Sequence, residues 1–77
     1  MKTIMIADDD SAILALLSYT FESDGFKVSL VKNGLEALDL ASKRDFDVIL
    51  LDMMMPELSG LAVTEALRQR ANYTPII

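Results

Sequence analysis

The order of apolar and polar segments predicts an α/β domain, with a parallel sheet carrying helices on both faces. Three observations lead there. Short apolar runs and helix-periodic stretches alternate three times before a last short apolar run, as in consecutive right-handed βαβ units. The run Val48-Ile49-Leu50-Leu51 is continuously apolar rather than alternating, which suits a strand buried on both faces of a parallel sheet. Two of the apolar runs end directly in carboxylates, Ile4-Met5-Ile6-Ala7 in Asp8-Asp9-Asp10 and Val48-Ile49-Leu50-Leu51 in Asp52.

Each element has its own local warrant. Residues 2–7 form a short apolar run bounded by acids and read as the first strand. Residues 11–24 read as a helix, because Ile13, Leu14, Leu16, Leu17 and Phe21 recur at three- and four-residue steps. Asp10 or Ser11 can cap its start, and Gly25 follows its end as a C′ residue. Residues 26–31 are the second strand, with Lys27 and Ser29 alternating against Phe26, Val28 and Leu30. Asn33-Gly34 signals a turn before a second helix over 34–43, where Leu35, Leu38 and Ala41, or Ala37 and Ala41, share a side. The third strand is placed at 47–51. A loop holding Pro56 follows, and a third helix is expected over 60–70 with Leu61, Val63, Ala66 and Leu67 on its apolar side. Residues 75–77 look like the opening of a fourth strand.

Bulk properties narrow the function. The chain has 77 residues, enough for one small domain that buries about 60% of its unfolded surface. It has no cysteine and no histidine, which excludes a disulfide scaffold and the usual zinc sites. That composition suits a cytoplasmic protein. The net charge of −5 argues against nucleic-acid contact, which normally needs a basic face. No apolar run approaches the roughly 20 residues that span a bilayer, so no membrane partner is expected. No signal peptide, internal repeat or linker is recognisable.

The acids carry the chemistry. Sites of open parallel sheets form beyond the carboxyl ends of the strands. If the first and third strands are neighbours, Asp8, Asp9 and Asp52 converge there. Carboxylates so close repel one another and need protonation or a cation. An all-oxygen set suits Mg²⁺, and aspartate is a covalent phosphate acceptor. The plainer alternative is that Asp9 and Asp10 only favour the dipole and amides of the following helix, and that Asp52 is a loop residue. Met53, Met54 and Met55 do not form a thioether metal site, since consecutive side chains diverge; packing explains them.

At these residues the chain resembles the receiver domain of two-component response regulators. The resembling elements are Ile4-Met5-Ile6-Ala7-Asp8-Asp9-Asp10, Gly25-Phe26-Lys27-Val28, Asn33-Gly34-Leu35-Glu36-Ala37-Leu38, Asp47-Val48-Ile49-Leu50-Leu51-Asp52, Met55-Pro56, Gly60, and Leu67-Arg68 leading to Pro75-Ile76-Ile77. The resemblance implies a flavodoxin-like doubly wound sheet of order 2-1-3 plus the start of 4. It implies that Asp52 accepts the phosphoryl group of a histidine kinase or phosphotransfer protein. Asp8 and Asp9 fall on the Mg²⁺-binding pair, with Asp9 at the directly ligating place. Met54 falls where the family offers a backbone carbonyl to the metal, and where the side chain tunes loss of the phosphoryl group. Ser59 stands where the family often has aspartate, and can cap the third helix.

The resemblance covers roughly the first two-thirds of a receiver domain. The family's hydroxyl residue on the fourth strand and lysine on the fifth fall beyond Ile77. A receiver ending after its third βα unit is expected to expose the third strand as an apolar edge and to self-associate through it. The expected role is therefore an acceptor domain without enzymatic turnover. A structural role in self-assembly is the alternative from another class. An unrelated Mg²⁺-dependent phosphatase is disfavoured, since it would want an aspartate where Met54 stands.

Overall fold

The computed structural model describes residues 1–77. Its elements follow the expected order: β1 (Thr3–Ala7), α1 (Ser11–Ser23), β2 (Lys27–Val31), α2 (Gly34–Lys43), β3 (Val48–Leu51) and α3 (Gly60–Gln69). The sheet is parallel, in the order β2-β1-β3. The doubly wound α/β arrangement read from the sequence is the one observed.

β1 is central and buried from Ile4 to Ala7, and its two faces build two cores. Ile4 and Ile6 pack with Leu14 of α1, flanked by Leu17, Phe21, Phe26, Val28, Val48 and Leu50. Met5 and Ala7 face the other way, toward Ala37 and Ala41 of α2 and Val63 and Leu67 of α3, with Ile49, Leu51 and Met55. The period-two alternation of the strand thus sends successive residues to opposite layers. Full burial of a side chain such as Ile4 or Ile6 stabilises the fold by about 1.5–3 kcal/mol.

Both ends of α1 are closed by local hydrogen bonds. Asp10 is the N-cap, its carboxylate accepting from the Ala12 and Ile13 amides at 2.9 and 3.3 Å. At the other end Gly25 adopts φ 91°. There the Gly25 amide donates to the Glu22 carbonyl and the Phe26 amide to the Phe21 carbonyl, both at 3.0 Å. This is the Schellman arrangement. Its accompanying apolar contact is the Phe21–Phe26 pair, edge-to-face with centroids 5.5 Å apart.

Several sequence expectations change in detail. Of the α1 stripe only Leu14 is buried; Leu17 and Phe21 are half-buried, while Ile13 and Leu16 face solvent. The helix is apolar on more than one side, and only the 14-17-21 row meets the sheet. β2 is an edge strand, so Leu30 is exposed and Val31 is buried instead. Leu35 of α2 and Leu61 of α3 are likewise exposed, because the Ala37–Ala41 and Val63–Leu67 rows face the core. In β3, Ile49 and Leu51 are buried but Val48 and Leu50 only half so.

The bare third-strand edge expected from the sequence is not what forms. Residues 75–77 lie parallel to the outer side of β3. The Ile49 amide donates to the Pro75 carbonyl at 2.8 Å and the Leu51 amide to the Ile77 carbonyl at 3.1 Å. The Ile77 amide returns a bond to Ile49 at 2.9 Å. A polar clamp steers the chain there. The Arg68 guanidinium donates to the Asn72 and Thr74 carbonyls at 2.9 and 3.0 Å. The Asn72 side chain donates to the Ala41 carbonyl and accepts from the Thr74 amide and hydroxyl. These bonds fold the segment back along the sheet and cover the edge that composition alone left open.

Candidate functional site: an acidic cluster at the carboxyl edge of the sheet

Strand register builds the site. Ala7 is paired with Val31 on one side and Leu51 on the other. The ladder runs one residue further: the Asp8 amide donates to the Val31 carbonyl at 3.2 Å, and the Asp52 amide to the Ala7 carbonyl at 3.0 Å. Asp8 and Asp52 are therefore held at the same level of adjacent strands, although 43 positions of sequence separate Asp52 from Asp9. One carboxylate oxygen from each of Asp8, Asp9 and Asp52 lies within 4.8 Å of the others. Asp8 and Asp52 are half-buried and Asp9 is exposed.

Local hydrogen bonds orient two of the three. Asp8 Oδ1 accepts from the Asp10 amide at 2.9 Å, and Asp52 Oδ1 accepts from the Met54 amide at 3.1 Å. Each bond spans two residues, the Asx-turn pattern open to a short acidic side chain at the end of a strand. Asp9 makes no such bond. Asp10, the third acid of the run, is spent on capping α1 and is not one of the cluster. No lysine or arginine pairs with the cluster: the one ion pair of the chain joins Lys43 to Asp39, 3.2 Å apart on the solvent side of α2.

The loop from Asp52 to Ser59 forms the other wall. Met55 is buried in the α2–α3 core, whereas Met53 and Met54 face outward, 47% and 83% exposed. The packing expected for all three methionines thus holds for Met55 and not for Met53 or Met54. The Met54 carbonyl accepts no hydrogen bond from the protein. Across Glu57 the Leu58 amide donates back to the Pro56 carbonyl at 2.8 Å, with Glu57 at φ 73°. This is the strained hand of the γ-turn, and nothing in the residue type announces it.

Two glycines let this loop sit close. A Cβ at Gly60 would collide with the Asp52 carbonyl, and one at Gly34 with the Leu58 carbonyl. The Gly60 amide instead donates to the Met53 carbonyl at 3.0 Å. Gly34 is therefore needed for close approach as the first residue of α2, with Asn33 as N-cap accepting from the Glu36 amide at 2.9 Å, rather than for a tight turn. Ser59 caps α3 through the Ala62 amide at 3.2 Å.

An all-oxygen donor set with no neutralising base suits a hard cation. Octahedral Mg²⁺ takes oxygens at about 2.1 Å, so its ligand shell is about 4.2 Å across. A set spread over 4.8 Å reaches that span with small side-chain rotations or one intervening water. The residues present therefore fit Mg²⁺.

Residues 4–77 match the response regulator receiver domain family. The alkaline phosphatase synthesis transcriptional regulatory protein PhoP of Bacillus subtilis (strain 168) is 40% identical over 76 residues. That alignment takes in 99% of this chain and 32% of PhoP. The Francisella response regulator 1452 receiver domain superposes with a TM-score of 0.96 at 34% identity, over 99% of this chain and 63% of that one. TrrA of Thermotoga maritima, solved with Mg²⁺ and BeF, superposes with a TM-score of 0.93 at 33% identity, covering 99% of this chain and 66% of TrrA. TrrA has also been solved in complex with the histidine kinase ThkA. This chain thus spans about a third of the regulator PhoP and about two thirds of the solved receiver domains. No helix is long and apolar enough to cross a membrane. A match along nearly the whole sequence, carried by a sheet of order 2-1-3 with the acids at its carboxyl edge, means that the chain belongs to the receiver-domain family of two-component response regulators.

Proposed function

We propose that Asp52 takes a phosphoryl group from the phosphohistidine of a histidine kinase or phosphotransfer protein, with Mg²⁺ held by Asp8, Asp9, Asp52 and the Met54 carbonyl. The observation that carries this reading is the cluster of Asp8, Asp9 and Asp52 within 4.8 Å, with no basic residue beside it. The bound cation would neutralise charge on the acids and on the incoming phosphoryl group. An Asp52 oxygen attacks phosphorus, the P–N bond to the imidazole breaks, and an acyl phosphate forms. The Met54 amide, already on Oδ1, keeps the carboxylate oriented for this attack. No residue need act as acid or base, which suits a site without histidine. The role is that of a signalling acceptor rather than a turnover enzyme.

The exposed side of α1 supports a protein donor. Ala12, Ile13, Leu16 and Tyr19 are all exposed and begin two residues beyond the Asp10 cap, beside the cluster. A donor that covers this apolar side would have its phosphohistidine near the Asp52 end of α1.

The test is intact-mass analysis after incubation with a small acyl-phosphate donor and Mg²⁺. One added phosphoryl mass is expected, dependent on Mg²⁺ and absent in Asp52→Ala. Transfer from a phosphohistidine protein is expected to fall in Leu16→Asp while labelling by the small donor stays unchanged. Labelling that persists in Asp52→Ala would remove the assignment.

We also propose the self-association expected from the sequence, now through an open groove of about 380 Å³ rather than through the β3 edge. It is lined by Ile4, Phe21, Phe26, Val48, Leu50 and Ile77 on the α1 side of the sheet, with Lys2 and Asp47 at its polar rim. Light scattering that finds only monomer at high concentration would dismiss it.

A further inference from the structure

Phosphoryl acceptance uses no side chain of the run Met53-Met54-Met55, of which only Met55 is buried. We infer that Met54 is an oxidation site that sets how long a phosphoryl group stays on Asp52, a reading that rests on Asp52 as the acceptor. Three observations carry it. Met54 is 83% exposed, so its thioether is open to a soluble oxidant. Its amide is bonded to Asp52 Oδ1 at 3.1 Å, so its side chain is rooted at the mouth of the site. Met55, the next residue, is 8% exposed within the core and is protected.

The chemistry is a two-electron oxidation. Hydrogen peroxide transfers one oxygen atom to the Met54 sulfur; the O–O bond breaks, an S–O bond forms and water leaves. The thioether is a weak hydrogen-bond acceptor, and the sulfoxide is polar. The Met54 side chain branches one bond from an amide that lies 3.1 Å from Asp52 Oδ1, which puts it within reach of water attacking an acyl phosphate there. As the thioether, that side chain does little to hold the water; as the sulfoxide, it accepts a hydrogen bond from it. Oxidation therefore hastens hydrolysis, and reduction by a peptide methionine sulfoxide reductase with a thiol restores the slow state.

The experiment treats the purified chain with limiting hydrogen peroxide and maps added oxygen by peptide mass. It then follows loss of the phosphoryl mass after labelling by a small acyl phosphate with Mg²⁺. Met54 is expected to oxidise well ahead of Met55. The phosphoryl lifetime is expected to shorten about fivefold, the equivalent of one neutral hydrogen bond. Met54→Leu should lose this response. Met1 is 94% exposed but lies at the opposite end of β1, so its oxidation in Met54→Leu serves as the control for damage elsewhere. An unchanged lifetime in chain oxidised at Met54, or an undiminished response in Met54→Leu, overturns the inference alone. Failure of the reduced chain to take any phosphoryl group overturns the acceptor reading and the inference with it.

Discussion

Replacing Ala71 by glycine should stabilise this protein. Helix α3 ends at its C-cap Arg70 in the same hydrogen-bond pattern that closes α1. The Ala71 amide donates to the Arg68 carbonyl at 3.1 Å and the Asn72 amide to the Leu67 carbonyl at 2.9 Å. The residue at the left-handed position is glycine after α1 but alanine after α3, where φ is 57°. An L-residue in that region costs about 1–2 kcal/mol against glycine. Glycine gives back about 0.4–1 kcal/mol through the greater freedom of its unfolded chain. Ala71 is exposed, so its methyl group contributes little burial. The net gain for Ala71→Gly is about 0.5–1 kcal/mol, or about 2–8 °C in Tm for a domain of this size. The reverse exchange at the matching position supplies the control. A Cβ on Gly25 meets nothing within 4 Å, so Gly25→Ala carries only the torsional cost and should lower Tm by a similar amount. Thermal and urea unfolding of both variants measure this directly. A lower Tm for Ala71→Gly, or a higher one for Gly25→Ala, would refute the torsional argument.

Other expectations concern charge and the tail. Asp9→Asn breaks no hydrogen bond and removes like-charge repulsion within the cluster, so it should raise Tm in chelator. The same variant should lose most of the Tm increase that Mg²⁺ produces in the parent chain; equal Mg²⁺ responses would argue against ligation by Asp9. Arg68→Ala removes two charge-assisted bonds to the Asn72 and Thr74 carbonyls. It should cost about 1–3 kcal/mol and speed hydrogen exchange at the Ile49 and Leu51 amides, which the tail covers. Asp47 is held below its usual value of 3.8, first by the Thr3 amide at 2.7 Å and further by the Thr3 hydroxyl and Lys2. Because its folded pKa is depressed, its contribution is fully present above about pH 4 and is lost as pH falls through the folded value. Asp47→Asn should therefore flatten the acid limb of the stability profile, which urea titrations between pH 2 and 5 can follow.

What the sequence determined by itself is what depends on neighbours along the chain. Periodicity located the helices, with α2 starting and ending where expected and α1, α3 and the strands differing by one residue at an end. Cap chemistry was legible at Asp10, Gly25 and Ser59, because an acceptor or a free φ acts within a few residues. Tertiary structure decided what depends on distant neighbours. The Ala7–Leu51 register, and not either sequence run, brings Asp8 and Asp52 to one level. Which side of apolar α1 is buried was settled by where the sheet lies, leaving Leu16 in solvent. The edge of β3 is covered by backbone bonds to residues 75–77, in a turn that Arg68 and Asn72 brace. The turn at Glu57 and the left-handed Ala71 carry no residue-type signature, since close packing and helix-end hydrogen bonds impose those torsions. Local free energies of about 1 kcal/mol choose helix ends and caps; only three-dimensional packing chooses which carboxylates meet.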